Sequence, residues 1–280
     1  MITDQNKNTL FFSALIKTDA RFRDDFMRVE QILEKHHIKP RYLENTKDIW
    51  CRDYMPVQAE TDKFVQFRFE PSYLNDYQEL KTIPGIVLKK NNIEACFSPI
   101  NLDGGNLVNC DDKAIVTDRI FRENPEWDKK ELLAELEKTL GVNIYVIPSL
   151  NKDLTGHADG YVRFIDNDTV LVNSLENEYA YWTKGFKNMI EKSGLNYVEM
   201  PWFEPPRRKS SYSAHGVYLN YLQLGNLVIF PVFETSQNKD NEAFDIAKQA
   251  FPKHIIETVN INNIAEEGGL MNCISWSFKI

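Results

Sequence analysis

Five short segments of this chain contain side chains that could do chemistry together. The segments and their candidate residues are IWCRDYMP with Asp53, NLDGGNLV with Asp103 and Asn106, LTGHADGYVRF with His157 and Asp159, SAHGVYLNYLQ with Asn220, and EEGGLMNC with Cys273. Measured along Asp53, Asp103, His157, Asn220 and Cys273, successive segments are 50 to 63 residues apart. Equivalent positions in a repeated fold would bring all five to one candidate site.

A thiol, an imidazole and several carboxylates, without a phosphate-binding loop, are typical of nucleophilic thiol catalysis. The carboxylates alone would raise the pKa of the thiol and suppress its reactive thiolate form. A cationic substrate removes this conflict. A guanidinium group is planar, stays charged and presents a fork of N–H donors that two carboxylates can hold. These residue types therefore favour a small cationic guanidino substrate bound against Cys273.

The elements predicted around these segments repeat in the order strand, strand, helix, strand. One copy begins with a predicted hairpin at 106–110 and 114–118 and ends with a predicted strand at 143–147. Between them a helix is predicted to begin at Asn124-Pro125 and to end at Gly141, with Leu133, Leu136 and Leu140 on its apolar face. The next two copies are predicted at 161–165, 169–173, 177–193 and 197–200, and at 217–224, 226–233, 239–250 and 254–259.

The two remaining copies are less regular. One runs from 55–58 and 64–69 through the Tyr73–Leu80 region to a strand near Ile86–Val87 or Ala95–Phe97. The other is completed only by joining the chain ends, through a strand around Cys273, residues 10–15, an amphipathic helix at 19–36 and residues 41–44. Repeats of this size indicate a solenoid or a closed ring, with an ordinary open α/β sheet as the alternative. Ring closure would explain a candidate nucleophile near the C-terminus, because untethered termini fray.

Composition and charge narrow the class of protein. The chain is 42% hydrophobic and 26% charged, an ordinary globular balance, and we expect residues 1–280 to form a single catalytic domain. The formal charge of -8 opposes nucleic-acid binding and favours a cationic partner. We read no signal peptide and no membrane span. The four cysteines form no CxxC pair, which predicts free thiols in the cytoplasm and no metal site.

The motifs WCRDYMP, LDGGN, TGHADGYVRF, YLNYLQLGNLVIFP and EEGGLMNC, in this order, resemble the agmatine deiminase and bacterial peptidylarginine deiminase family. The resemblance implies the pentein fold, an α/β propeller of five ββαβ modules around a pseudo-fivefold axis, with the termini sharing one module. It also implies hydrolysis of a guanidino group to a ureido group with release of ammonia, without a cofactor. Agmatine, which would be converted to N-carbamoylputrescine, is the leading substrate. The oligomeric state is left open, with a homodimer as the candidate.

Transferred to matching positions, the resemblance makes Cys273 the nucleophile that attacks the guanidino carbon. It makes His157 the acid that protonates the leaving ammonia, and then the base that activates water against a thiouronium intermediate. Asp53 and Asp159 would hold the guanidinium nitrogens. The remaining candidates would line or support the substrate pocket: Trp50 over the alkyl part, Asn220 in the wall, and Asp103 with Asn106 behind the site or at the far end of the substrate.

Two positions depart from the family pattern. Asn272 precedes the nucleophile where the family usually has histidine, and Met55 replaces the glycine of the RD-x-Gly-Pro motif. Three functions stay open at this stage. They are a small-molecule guanidine hydrolase, a peptidylarginine or arginine deiminase or an amidinotransferase that uses the same site, and a guanidine-binding protein without turnover.

Overall fold

The computed structural model describes residues 1–176, 178–204 and 212–280. The strands are β1 (Thr9–Ser13), β2 (Arg41–Leu43), β3 (Val57–Glu60), β4 (Lys63–Arg68), β5 (Cys96–Asn101), β6 (Val108–Cys110), β7 (Lys113–Thr117), β8 (Asn143–Ile147), β9 (Val162–Phe164), β10 (Thr169–Asn173), β11 (Asn196–Met200), β12 (Leu222–Leu224), β13 (Leu227–Val232), β14 (Ile255–Asn260) and β15 (Ser275–Phe278). The α-helices are α1 (Leu15–Thr18), α2 (Arg23–Lys35), α3 (Cys51–Tyr54), α4 (Pro84–Asn91), α5 (Arg119–Glu123), α6 (Lys129–Leu140), α7 (Ala180–Ser193), α8 (Asp240–Ala250) and α9 (Asn262–Glu266).

Within these described ranges, the strands form five three-stranded sheets with one shared pattern. Their strand orders are β15-β1-β2, β3-β4-β5, β6-β7-β8, β9-β10-β11 and β12-β13-β14. In four sheets the first two strands in chain order pair antiparallel and the last two pair parallel. In the sheet of the chain ends, β15 takes the place of the first strand: it pairs antiparallel with β1, and β1 pairs parallel with β2. A helix joins the two parallel strands of each sheet, namely α2, α4, α6, α7 or α8. The predicted repeat is confirmed, and the termini share one module because β15 pairs with β1.

Local sequence signals explain where the connecting helices begin and end. In α2, the predicted apolar stripe of Phe26, Val29 and Leu33 is buried at helical spacing. In α6, the Asp128 side chain accepts hydrogen bonds from the first-turn N–H groups, and Gly141 ends the helix with φ of 70°. Helix α6 thus begins four residues after the predicted Asn124-Pro125 opening, because Asp128 supplies the N-cap.

Other boundaries differ from the sequence prediction. In the second module, which contains β3, β4 and β5, the helix is Pro84–Asn91. The alternative prediction of a strand at Ile86–Val87 is therefore wrong, and the third strand of the module lies at Cys96–Asn101. Pro84 is accommodated in the first helical turn, where its missing N–H costs nothing. The predicted Tyr73–Leu80 region holds two short 3-10 turns instead of an α-helix. The predicted helix 177–193 begins at Ala180, and Asn177 lies outside the described residues.

The C-terminal segment is held firmly in the core. Leu270, Met271 and Ile274 have no exposed surface, and they belong to the largest apolar cluster together with Phe12 of β1 and Phe230 of β13. Each fully buried side chain of this kind stabilises the fold by about 1.5–3 kcal/mol. The segment that carries Cys273 is therefore fixed between the terminal module and its neighbour.

The shared topology directs one end of every module to the same face. In each sheet, the carboxyl ends of the two parallel strands lie beside the start of the first strand. The candidate segments immediately precede these first strands, at β3, β6, β9, β12 and β15. Ligand sites of parallel α/β sheets characteristically lie at the carboxyl ends of the strands. This arrangement predicts that all five segments meet at the carboxyl ends of the parallel strands.

Candidate active site

The structure brings the predicted residues together from separate modules. Asp53 lies in α3, and Asp103 and His157 each immediately precede a short 3-10 turn, with Asp159 inside the second turn. Asn220 precedes β12, and Cys273 precedes β15. The four charged candidates are at most 9% exposed as residues, so their mutual interactions are only weakly screened by water.

His157 lies between two carboxylates. Its Nε2 is 2.9 Å from Asp103 Oδ2, and its Nδ1 is 3.5 Å from Asp53 Oδ1. Burial alone would lower the pKa of His157, but Asp53, the hydrogen-bonded Asp103 and Asp159 outweigh burial and raise the pKa to about 10. The imidazole is therefore protonated at neutral pH, and in this state it can donate a proton.

The thiol of Cys273 faces a carboxylate and an amide. Its Sγ donates to Asn220 Oδ1 at 3.3 Å and lies 4.0 Å from Asp159 Oδ2. The same Asn220 oxygen accepts the backbone N–H groups of Asn272 and Cys273 at 3.1 and 3.2 Å. Asn220 thereby anchors the backbone on both sides of the sulfur. The contact between Asn220 and the thiol is consistent with the predicted role of Asn220 in the pocket wall. The two backbone hydrogen bonds add a second role, which is to hold the nucleophile in position.

Electrostatics keep this thiol protonated while no cation is near. Burial raises the pKa of the Cys273 thiol well above its ordinary value, and the carboxylates of Asp159 and Asp53 raise it further. Burial also raises the pKa of Asp53 to about 7, against the lowering effect of His157. A bound guanidinium would reverse the repulsion between the thiolate and these carboxylates.

The alkylation rate of Cys273 should report this electrostatic state. Because only the thiolate reacts, and its pKa is raised, carbamidomethylation of Cys273 by iodoacetamide should still accelerate as the pH rises through 9. At pH 7 the exposed Cys96 should react faster, which provides an internal control. Peptide mass spectrometry resolves the two sites. A plateau of the Cys273 rate below pH 8 would contradict the raised pKa.

Asn272 binds the carboxylate next to the nucleophile. Its Nδ2 donates to Asp159 Oδ2 at 2.6 Å, and its backbone oxygen accepts Arg52 Nε at 3.3 Å. The residue that departs from the family pattern therefore occupies one oxygen of Asp159 and orients that carboxylate toward the thiol. An uncharged donor performs this contact here, so the charge on Asp159 is not cancelled.

Trp50 stands beside the nucleophile because of a glycine. A Cβ atom on Gly269 would lie 2.5 Å from Trp50 Cζ3 and 2.9 Å from the Cβ of Cys273. The indole is half-buried, and its backbone N–H donates to Asp48 Oδ1 at 2.8 Å. The ring is thus placed where it could cover the alkyl part of a substrate held against the sulfur.

Replacing Gly269 with alanine should impair the site without unfolding the chain. The added methyl must displace the indole edge or shift Cys273, and a misplacement near 1 Å can cost about 10²-fold in rate. We therefore expect kcat/KM to fall by about 10²-fold while the thermal midpoint stays close to that of the wild type. Gly85→Ala is the matched control, because no atom lies within 4 Å of its added Cβ. Equal activity of both variants would refute this account of Gly269.

The remaining predicted residues have mainly supporting contacts. The Asn106 side-chain oxygen accepts the backbone N–H of Thr117 at 2.9 Å. The Thr117 hydroxyl lies 2.7 Å from the carbonyl of Gly156, beside His157, and 2.9 Å from the same Asn106 oxygen, so these two acceptors share its one proton. These contacts favour support of the site over contact with the substrate for Asn106. Asp103 likewise acts behind the site, as the partner of His157.

Sequence reasoning missed Tyr73 and Asp48. The Tyr73 hydroxyl donates to Asp103 Oδ2 at 2.9 Å, the same oxygen that His157 contacts, and its ring meets the imidazole edge-on. Tyr73 lies in the loop after β4, outside the five motifs. The only sequence signal for Tyr73 was that this loop follows the second strand of its module. Asp48, two residues before Trp50, provides a further carboxyl group near the site. Burial raises the pKa of this carboxyl group to about 7.

The described residues contain neither a metal-binding cluster nor a membrane-spanning helix. No group of three or more His, Cys, Asp or Glu side chains there is arranged to hold a metal ion. Among those same residues, no helix combines the length and the apolar character that a bilayer crossing requires.

A half-buried thiol, an imidazole held by two carboxylates and a third carboxylate, delivered by four of the five modules of a pentein, define a thiol-based candidate active site. Residues 7–278 match the family described as Porphyromonas-type peptidyl-arginine deiminase. The chain belongs to this family.

Individual relatives agree with this assignment. A Marinomonas sp. (strain MWYL1) protein named "Putative agmatine deiminase" is 25% identical over 210 residues, which span 64% of this chain and 56% of that relative. The structure of C. jejuni agmatine deiminase matches with a TM-score of 0.79 at 18% identity, covering 99% of this chain and 94% of that one. The agmatine deiminase of Enterococcus faecalis matches with a TM-score of 0.73 at 14% identity, covering 98% and 93%. The structural matches establish the fold.

Proposed function

We propose that this chain is a guanidine hydrolase that converts a guanidino group to a ureido group and releases ammonia, with agmatine as the leading substrate. The observation that carries the proposal is the single buried cluster in which Cys273 faces Asp159 while His157 faces Asp53. The names of the relatives support agmatine, whose product would be N-carbamoylputrescine.

Substrate binding would supply the charge that the thiol needs. Asp53 and Asp159 accept N–H groups of the guanidinium, so its carbon is held next to Cys273 Sγ. The positive charge lowers the pKa of the thiol, which then releases its proton to solvent and becomes a thiolate. Trp50 covers the aliphatic stem of the substrate, and Asn220 holds the backbone of the nucleophile in place.

The reaction would then proceed in two steps with one covalent intermediate. The thiolate forms a C–S bond to the guanidino carbon, and a C–N bond breaks as His157 gives its proton to the departing ammonia. Neutral His157 next takes a proton from water, whose oxygen attacks the thiouronium carbon. The C–S bond breaks and the thiolate returns, the second proton of the attacking water is released to solvent, and the water oxygen becomes that of the ureido product.

A second candidate keeps the chemistry and changes the substrate. The description of the matched family favours peptidyl-arginine, and free arginine or amidino transfer to an amine would use the same residues. A binding protein without turnover is the third candidate. The cytoplasm is the proposed location because Cys273 must stay reduced and all four cysteines are unpaired. A homodimer remains a prediction for light scattering to test.

One substrate screen separates these functions. Purified protein is incubated with agmatine, arginine, guanidino acids and an arginine peptide, and ammonia and ureido product are measured, with Cys273→Ser as the control. We expect agmatine to give the highest kcat/KM. Amidino transfer to an added amine without ammonia would identify a transferase instead. Agmatine binding without product or covalent adduct would refute hydrolysis and indicate the binding protein.

A further inference from the structure

A small polar cavity lies next to Arg52, apart from the reacting groups. Its volume is about 30 Å³, and its polar lining consists of Lys7, Arg52, Gln58, Asn109 and Ser277. That volume accommodates one or two particles the size of a water molecule. The cavity is bounded by the N-terminal segment, by β3 and β15, and by the turn that follows Asp103.

The charges around this cavity are unbalanced. Its two charged lining residues, Lys7 and Arg52, are both cations, and none of the described residues that line it is acidic. Lys7 donates to Asp4 at 2.7 Å, but the same carboxylate also pairs with Arg163 at 2.8 Å. Asp4 is therefore shared between Lys7 and Arg163, although Arg163 also has Asp159 near it, and the half-buried Arg52 adds a third positive charge. Like charges in a poorly hydrated interior repel strongly.

Ser277 gives an independent indication of a ligand. Its side chain is 3% exposed and lines the cavity, and its Oγ has no hydrogen-bond partner among the residues that the structure describes. An unsatisfied buried hydroxyl costs about 1–3 kcal/mol. Lys7 adds donor capacity, since an ammonium has three N–H groups and one is used by Asp4. Both unused donor groups are provided by residues that line the same small cavity.

We propose that this cavity binds one small monovalent anion of chloride size, held by Lys7, Arg52 and the hydroxyl of Ser277. The small volume favours a monatomic ion over sulfate, phosphate and organic carboxylates, and the excess positive charge favours an anion over water. The site is coupled to the active site through Arg52, whose N–H donates to the Cys273 carbonyl and whose Nε donates to the Asn272 carbonyl. Anion binding would thereby stabilise the segments that carry Asp53 and Cys273.

Thermal unfolding in chloride and in gluconate of equal ionic strength tests the proposal without an activity assay. We expect Tm to rise with the logarithm of the chloride concentration above Kd, by about 3 °C when chloride is tenfold above Kd, and we expect no such rise in gluconate. Lys7→Met should abolish the chloride response, whereas the exposed Lys253→Met should retain it. Equal shifts in both salts, or an unchanged chloride response in Lys7→Met, would overturn the proposal.

Two further measurements remain decisive where Lys7→Met folds poorly. Ser277→Asp places a carboxylate in the cavity, so its Tm should become independent of chloride; a retained chloride response would count against the site. In crystals of the wild type grown with bromide, we expect an anomalous peak within contact of Lys7 and Ser277. Water density there, without a bromide signal, would refute the anion site and leave the proposed hydrolase function untouched.

Discussion

Replacing Cys273 with serine should lower turnover of the guanidino substrate by at least about 10⁴-fold while substrate binding persists. A hydroxyl ionises far less readily than a thiol, and within the described part of the chain no neutral base contacts this position. The carboxylates of Asp53 and Asp159, which we propose hold the guanidinium, stay in place. Single-turnover kinetics with agmatine, together with calorimetric measurement of Kd, separate the lost chemistry from binding.

The sequence offers a matched thiol for comparison. Cys96→Ser changes an exposed cysteine on β5 and should leave kcat and KM unchanged. Intact-mass analysis of the wild type, quenched during turnover, should reveal the covalent adduct, and Cys273→Ser should not form it. If Cys273→Ser kept a tenth or more of the wild-type kcat, the thiol would not be the nucleophile and the proposed mechanism would fail.

Replacing His157 with glutamine should reduce kcat by about 10²–10⁴-fold, the usual contribution of a positioned general acid and base. Glutamine can still donate to Asp103 or Asp53, but it can neither protonate departing ammonia nor accept a proton from water. The wild-type pKa of about 10 means that the acid form is available across neutral pH. Loss of this group should therefore lower the rate throughout pH 6 to 9.

The His157→Gln protein should also be less stable. It leaves two buried carboxylates without their shared cation, and breaking such a pair costs about 3–5 kcal/mol. This penalty should be smaller at pH 5, where protonation relieves the repulsion, than at pH 8. His215→Gln is the matched control, since His215 contacts Ser213 and Glu266 outside the proposed chemistry. Comparable kcat losses in both variants would refute a specific role for His157.

Strong local signals made much of the fold predictable. The third module was predicted closely because β8 and the end of α6 have unambiguous patterns, an apolar strand and a glycine C-cap. The second module was predicted poorly. Its loop holds two 3-10 turns and a short helix opened by Pro84, and neither presents the long apolar stripe by which helices are recognised.

In the candidate site, too, the features carried by a sequence pattern were predictable, whereas individual side-chain contacts were not. Motif order and spacing identified Cys273, His157, Asp53 and Asp159, because a repeated module places equivalent segments at one face. The contact between Asn272 and Asp159, and the Tyr73 hydroxyl on Asp103, could not be deduced in this way. Each depends on side-chain positions to within about 1 Å, which no spacing along the chain encodes.

By itself, the sequence determined the five-module architecture and the set of groups available for chemistry, since both follow from periodicity and residue type. Only the tertiary structure decided how charges are shared. It placed one imidazole between two carboxylates, kept the Cys273 thiol protonated through burial, and collected Lys7, Arg52 and Arg163 around a single aspartate. The physical reason is that pKa values and ion pairing depend on burial and on distances between segments, and these exist only once the ring has closed.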